Sequence, residues 1–119
     1  MGIIMYSEKH IKVELSDNCC ILYLSDFAIN ELKTIVFVNL PECGETVTSN
    51  QVFGDIESIK TVSDLIAPVS GTVNEVNEEL FDTPEILTSD IWLVKVSDFI
   101  VDESILMDER TYKDFVQVG

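Results

Sequence analysis

Period-two alternation runs through the middle of this chain. In "IWLVKVS", Trp92, Val94 and Val96 fall on one side and Leu93, Lys95 and Ser97 on the other, the spacing of a half-buried strand. The first three are expected in the core. "KTIVFVNL" is β-branched and aromatic and stops at Leu40–Pro41, and "LPECGETV" carries the Pro and Gly of a turn. "QVFGDIESI" and "TVSDLIAPVSGTVNEV" read as further strands on either side of Lys60. Short strands punctuated by turn residues predict a mainly β protein, a small sandwich or barrel. At two places the period becomes helical. "SDFAINEL" starts on a capping residue, Ser25, and sets Ala28 and Leu32 one turn apart. Near the end, Asp108 can cap "ERTYKDFVQ", whose Tyr112, Phe115 and Val116 share a face expected to pack on the sheet.

A weak internal repeat adds to this. "PECGETV" (Pro41, Gly44, Val47) resembles "PVSGTV" (Pro68, Gly71, Val73). Asn50 precedes Lys60 and Gly71 follows it at nearly equal distance, and both residue types tolerate the left-handed backbone of tight turns. Two similar halves meeting at Lys60 predict a quasi-symmetric sandwich with that lysine on the linking hairpin. Glu57 and Asp64 would flank its tip.

Length and charge narrow the classes. The 119 residues make one domain, 1–119, with the core expected over about 20–97 and a helical tail over about 98–119. Hydrophobic content of 46% and a mean hydropathy of +0.23 argue against disorder despite a net charge of −15. So acidic a surface repels nucleic acid and anionic membranes and favours basic protein faces. The apolar stretches are too short to span a bilayer. "MGIIMYSEKH" lacks the marks of a signal or transit peptide, and Tyr6 stands where myristoylation needs Ser or Thr. A cytoplasmic monomer is expected. Three cysteines, Cys19, Cys20 and Cys43, have no metal-ligand spacing and read as reduced structural thiols. The single His10 supports neither a triad nor a zinc cluster, and the Glu78–Glu79 pair lacks an environment that would separate two carboxylate pKa values. No catalytic residue and no metal is expected.

Lys60 stands apart. Between Thr34 and Val94 it is the only cation among eleven carboxylates. A lysine on a hairpin can simply discourage edge-to-edge pairing, so composition leaves both a chemical and an inert role open.

The stretch "ESIKTVSDLIAPVSGTVNEVNEELFDTPEIL" favours the chemical role, because it resembles the lipoyl-carrier H proteins of the glycine cleavage system. Glu57, Ser58 and Lys60 match the family's Glu-Ser-Val-Lys-Ala element, with Ile59 and Thr61 substituted. Ala67, Pro68, Gly71 and Val73 match Ala-Pro-x-x-Gly-x-Val, and Val76, Asn77, Leu80, Pro84 and Glu85 match the segment that follows. "IVFVNLPECGETV" and "LSDFAINEL" are similar to upstream family segments. The resemblance implies a lipoyl/biotinyl-type β-sandwich (a barrel-sandwich hybrid) with short helices in its N-terminal half and at its C-terminus. It implies a non-catalytic carrier with lipoate in amide linkage on Lys60, and recognition by Glu57, Ser58 and Asp64 around the tip. The implied partners are a lipoate ligase or octanoyl/lipoyl transferase, glycine decarboxylase, aminomethyltransferase and dihydrolipoyl dehydrogenase.

The chain also departs from that family. Of its His-Glu-Trp motif only His10 remains, Lys33 replaces the glycine after the helix, Asn50 replaces another glycine, and the loop before Trp92 is cut to Thr88–Ile91. These departures keep two alternatives in view. One is an H-like lipoyl carrier outside glycine cleavage, relaying octanoyl or lipoyl groups or serving redox or ADP-ribosylation-linked signalling through acids such as Glu31. The other is an unmodified acidic interaction module. A biotin carrier would place methionines on both sides of the lysine, and a 2-oxoacid dehydrogenase lipoyl domain an Asp before it; Ile59 and Thr61 fit neither.

Overall fold

The structure, a computed structural model, describes residues 2–118. Strands β1 (Ile3–Tyr6), β2 (Ile11–Leu15) and β3 (Cys20–Leu24) lead into helix α1 (Asp26–Leu32). Then come β4 (Ile35–Asn39), β5 (Thr46–Val47), β6 (Val52–Ser58), β7 (Val62–Ile66) and β8 (Ser70–Val76). A short helix α2 (Glu79–Asp82) and a 3-10 turn (Pro84–Ile86) precede β9 (Trp92–Ile100), and helix α3 (Glu109–Val118) ends the fold. The strands form two antiparallel sheets, one of six in the order β1-β2-β3-β9-β8-β5 and one of three in the order β4-β6-β7. This is the sandwich that the strand pattern predicts.

The core lies between the sheets and extends beyond the expected 20–97 stretch at both ends. Ile11, Val13 and Leu15 on β2 alternate into it opposite Cys20, Leu22 and Leu24 on β3. Leu106 and Tyr112 close it from the C-terminal side. The N-terminal hairpin is integral because it pairs the edge that β3 would otherwise leave open. The alternation "IKVEL" carries the signal for β2, which the expected core of 20–97 leaves out. The expected tail is strand as far as Ile100 before it turns helical.

Two expectations need correction. Trp92 is not a core residue. On β9 the pairing steps from Leu22↔Val94 to Tyr23↔Trp92, which leaves Leu93 unopposed in a bulge. The bulge resets the alternation: Leu93, Val94 and Val96 are all buried, while Trp92 lies half-buried with the Lys95 ammonium 4.7 Å from its ring centre. Gly71 does not take a left-handed backbone; among the described glycines Gly44 does, at φ 93°. What Gly71 supplies is room. A Cβ there would stand 2.5 Å from Val96 Cγ1 and 2.8 Å from the Ser97 carbonyl. The repeated segments do not stack as two halves but pair with each other, Thr46↔Thr72 and Val47↔Gly71, and that close pairing with β9 beyond it is what excludes a side chain.

The helices begin where expected. Ser25 Oγ accepts from the Ala28 N–H at 3.3 Å, and Asp108 Oδ1 from the Thr111 N–H at 2.8 Å. α3 docks by stacking Tyr112 on Tyr6 of β1, ring centres 4.5 Å apart. α2 has no forecast in the sequence; four residues are too few for a helical period, and its buried Leu80 covers β4.

Candidate functional site

Lys60 lies at the tip of the β6–β7 hairpin, where Glu57 pairs with Val62 and Ile59–Lys60 turn the chain. Two-residue hairpin turns usually rely on positive φ, yet neither Ile59 nor Lys60 has it. The Ser58 hydroxyl takes over. The Ser58 N–H donates to the Thr61 carbonyl at 2.8 Å. The return bond from the Thr61 N–H goes to Ser58 Oγ at 3.2 Å, joined by the Lys60 N–H at 3.3 Å, while the Ser58 hydroxyl donates to the Thr61 carbonyl. Ser58, expected at a recognition surface, is therefore 8% exposed and knits the turn from inside.

A second brace comes from α1. The Ile59 N–H donates to the Thr34 carbonyl at 3.1 Å, and Ile35 pairs with Ser58. Thr34 reaches that place because Lys33, at the helix C-cap, bends the chain with φ 65° and ψ −107°. A side chain in that region is strained, which explains why a glycine is the usual choice there.

The Lys60 side chain is exposed and makes no ion pair among the described residues. Glu57 and Asp64 face outward from the strands below it. Glu57 lies between Phe37 and Val62 in one row, and Asp64 is directly opposite Asp55 in the next. Opposed carboxylates repel; here only Asp55 is relieved, by the Asn39 amide at 2.8 Å. Phe37, Val62 and Ile59 leave apolar surface exposed among these acids.

Behind the tip a groove of about 660 Å³ runs from Lys60 and Thr61 to α1. Phe27, Ala28, Leu32 and Val62 line its apolar part, and His10 and Glu31 its polar end. By sequence His10 supports neither a triad nor a zinc cluster. In the structure it occupies a turn with φ 72°, its Nδ1 is 2.7 Å from the Tyr112 hydroxyl, and its ring lies 4.8 Å from that of Phe27. Burial, then Lys9, lowers its pKa below the ordinary 6.5, with Glu31 opposing. Its place on the groove that Lys60 also lines has no local signature, because residues 10, 31 and 60 come to one groove only in the folded chain.

The loop before Trp92 is short but anchored. Ser89 Oγ donates to Asp26 Oδ1 at 2.5 Å, and Lys12 lies 4.0 Å from Asp90. The Cys20 thiol is pushed up to about 12 by burial, with Cys19 adding to it, so it is inert; Cys43 lies exposed in its turn. Among the described residues no three His, Cys, Asp or Glu side chains converge as metal ligands, and no helix is long and apolar enough to cross a membrane.

Two antiparallel sheets packed as a sandwich, with a lysine exposed on a hairpin tip beside a groove, define a small β-sandwich domain. Comparison with known proteins specifies the class further. The family described as glycine cleavage H-protein matches residues 4–118, and the chain belongs to that family. It is 42% identical to the glycine cleavage system H protein of Geobacillus sp. (strain WCH70), over 96% of this chain and 94% of that one. It is 47% identical to the protein of that name from Bacillus cereus (strain AH820), over 88% and 87%. The crystal structure of a glycine cleavage system H protein from Mycobacterium marinum superposes with a TM-score of 0.89 at 34% identity, covering 98% of each chain.

Proposed function

We propose that this protein is the lipoyl carrier of a glycine cleavage system, with Lys60 as the attachment residue. The observation that carries this reading is the exposed Lys60, without an ion pair among the described residues, at the tip of a turn hydrogen-bonded by Ser58 and Thr34. The residues suit a lipoyl group. The tip is exposed for loading, and the groove beside it offers an apolar wall followed by Glu31. When bound, the dithiolane supplies the reactive sulfur that takes up an aminomethyl group from glycine and hands it on.

The chain itself does three things. Lys60 Nζ, as the free amine, attacks the acyl carbon of an activated lipoyl donor. The C–N bond forms as the bond to the donor's leaving group breaks and the nitrogen sheds its extra proton, and the modifying enzyme supplies the activated donor and takes the proton. Glu57 and Asp64, with Asp55, present negative charge to the basic clefts of the enzymes that reach the arm, steering encounter more than adding affinity. The groove receives the arm between visits, with the Glu31 carboxylate available to a cationic amine and Phe27 and Leu32 to its hydrocarbon. Tethering then raises the local concentration of the cargo at each enzyme without any catalytic group on this chain. The partners are the enzymes that load glycine's aminomethyl group, remove it and reoxidise the dithiol, together with the enzyme that attaches lipoate.

The test is the intact mass of the protein after coexpression with a lipoylation system and lipoate. A lipoyl-sized gain is expected in the wild type and its absence in Lys60→Arg. No gain in the wild type, with a known carrier loaded in parallel, would overturn the reading.

A further inference from the structure

The hydrogen bonds at the polar end of the groove have a forced direction. Ser25 is fully buried. Its Oγ accepts the Ala28 N–H as the cap of α1 and lies 2.8 Å from the Tyr112 hydroxyl. Among the described residues its proton has no other acceptor than the Tyr112 oxygen, and a buried hydroxyl left without one is costly. Ser25 therefore donates to Tyr112. The Tyr112 proton then goes to the remaining partner, His10 Nδ1, at 2.7 Å. A ring nitrogen that accepts a proton carries none, so the His10 proton sits on Nε2. The chain Ala28 N–H, Ser25 O–H, Tyr112 O–H, His10 Nδ1 is satisfied in this direction alone. Protonating Nδ1 would reverse it and strand the Ser25 hydroxyl.

We propose that Ser25 and Tyr112 are positioning residues that hold His10 as the neutral Nε2–H tautomer, so that the groove wall beside Lys60 offers the arm a fixed hydrogen-bond donor and no positive charge. Its value for cargo rests on the carrier reading above. A loaded arm ends in a cationic amine, which Glu31 attracts and an imidazolium would repel. The titratable groups around the ring are Lys9 in its own turn, Glu31 on α1, Lys60 across the groove, and Tyr112 on α3 with Tyr6 stacked behind it. Burial, then Lys9, opposes a positive charge on the ring, and Glu31 favours it; Lys60 loses its own charge once the arm is attached.

His10 is the only histidine, so long-range proton–nitrogen NMR of the ring reads it without assignment. The wild type at neutral pH is expected to show Nε2 protonated and Nδ1 bare. Tyr112→Phe keeps the aromatic ring available for stacking on Tyr6, and it is expected to show mixed tautomers and a titration midpoint moved up toward 6.5, with an otherwise native amide spectrum. Ser25→Ala is expected to move in the same direction. On aminomethyl-loaded protein followed by intact mass, both variants should lose the cargo severalfold faster than the wild type. A wild-type His10 carrying its proton on Nδ1, an unchanged tautomer in Tyr112→Phe, or equal cargo lifetimes would each overturn the proposal. Failure of Lys60 to become lipoylated would instead overturn the carrier reading, while the tautomer measurement on the unmodified protein still decides the proton relay.

Discussion

Single residues set the geometry of the tip. Lys33 holds a positive-φ bend with a full side chain, and that bend presents the Thr34 carbonyl to Ile59. Relief of its strain predicts that Lys33→Gly raises the unfolding free energy by about 1–2 kcal/mol, less the entropy that glycine adds to the unfolded chain, as read by urea denaturation. Ser58 works in the opposite sense. Removing its hydroxyl frees the Lys60 and Thr61 N–H groups and loses one donated bond. Ser58→Ala should therefore cost about 1–2 kcal/mol and slow lipoylation, because the lysine is no longer held in one pose. A loading rate equal to the wild type would show that turn rigidity is irrelevant to the ligase. Asn50, where the family favours glycine, has φ 69° and needs no such correction, since its short amide side chain tolerates that conformation.

At the level of elements, α3 is where pH acts. Its Tyr112 joins β1 by stacking and α1 by the bond to Ser25, and His10 completes the junction. Burial lowers the His10 pKa in the folded protein relative to the unfolded chain. The folded state thus binds the proton less readily, and the stability this represents is complete above the unfolded value near 6.5 and lost as pH falls through the lower folded value. Between about pH 7.5 and about pH 5.5 histidine is the side chain that ordinarily titrates, so urea midpoints should fall across this window. Tyr112→Phe should flatten the fall, with amide exchange in α3 rising first in the wild type on acidification.

For the whole molecule, a charge of −15 with ion pairs at only Lys12–Asp90 and Lys95–Glu75 among the described residues means that self-repulsion outweighs local pairing. Lipoylation removes the Lys60 charge and takes −15 to −16. Salt should act with two signs. Raising sodium chloride from about 0.01 M to about 0.15 M shortens the screening length roughly fourfold, which should raise Tm by relaxing repulsion and lower the association rate with a basic-faced partner enzyme. Stopped-flow association and thermal melts on the same samples check both; a rate that does not change with salt would show that the acids near the tip do not steer.

Much of this was legible along the chain. The β-branched and aromatic run of "KTIVFVNL" and the caps Ser25 and Asp108 are local properties that near neighbours suffice to read, and the isolation of Lys60 is read directly from the stretch Thr34–Val94. The motif around Lys60 likewise lies in one continuous segment. Other features depend on pairings between distant strands. The bulge that moves Trp92 outward exists only against β3, and the need for Gly71 exists only against Val96 and Ser97. The role of Ser58 follows from a turn whose backbone angles no composition reveals. The His10–Tyr112–Ser25 junction joins residues from three parts of the fold across almost the whole chain, and its proton order follows from burial, which leaves each hydroxyl proton one acceptor. Sequence determined the strands, the caps and the lysine to watch; packing alone decided what stands around it, because burial is a property of the closed fold.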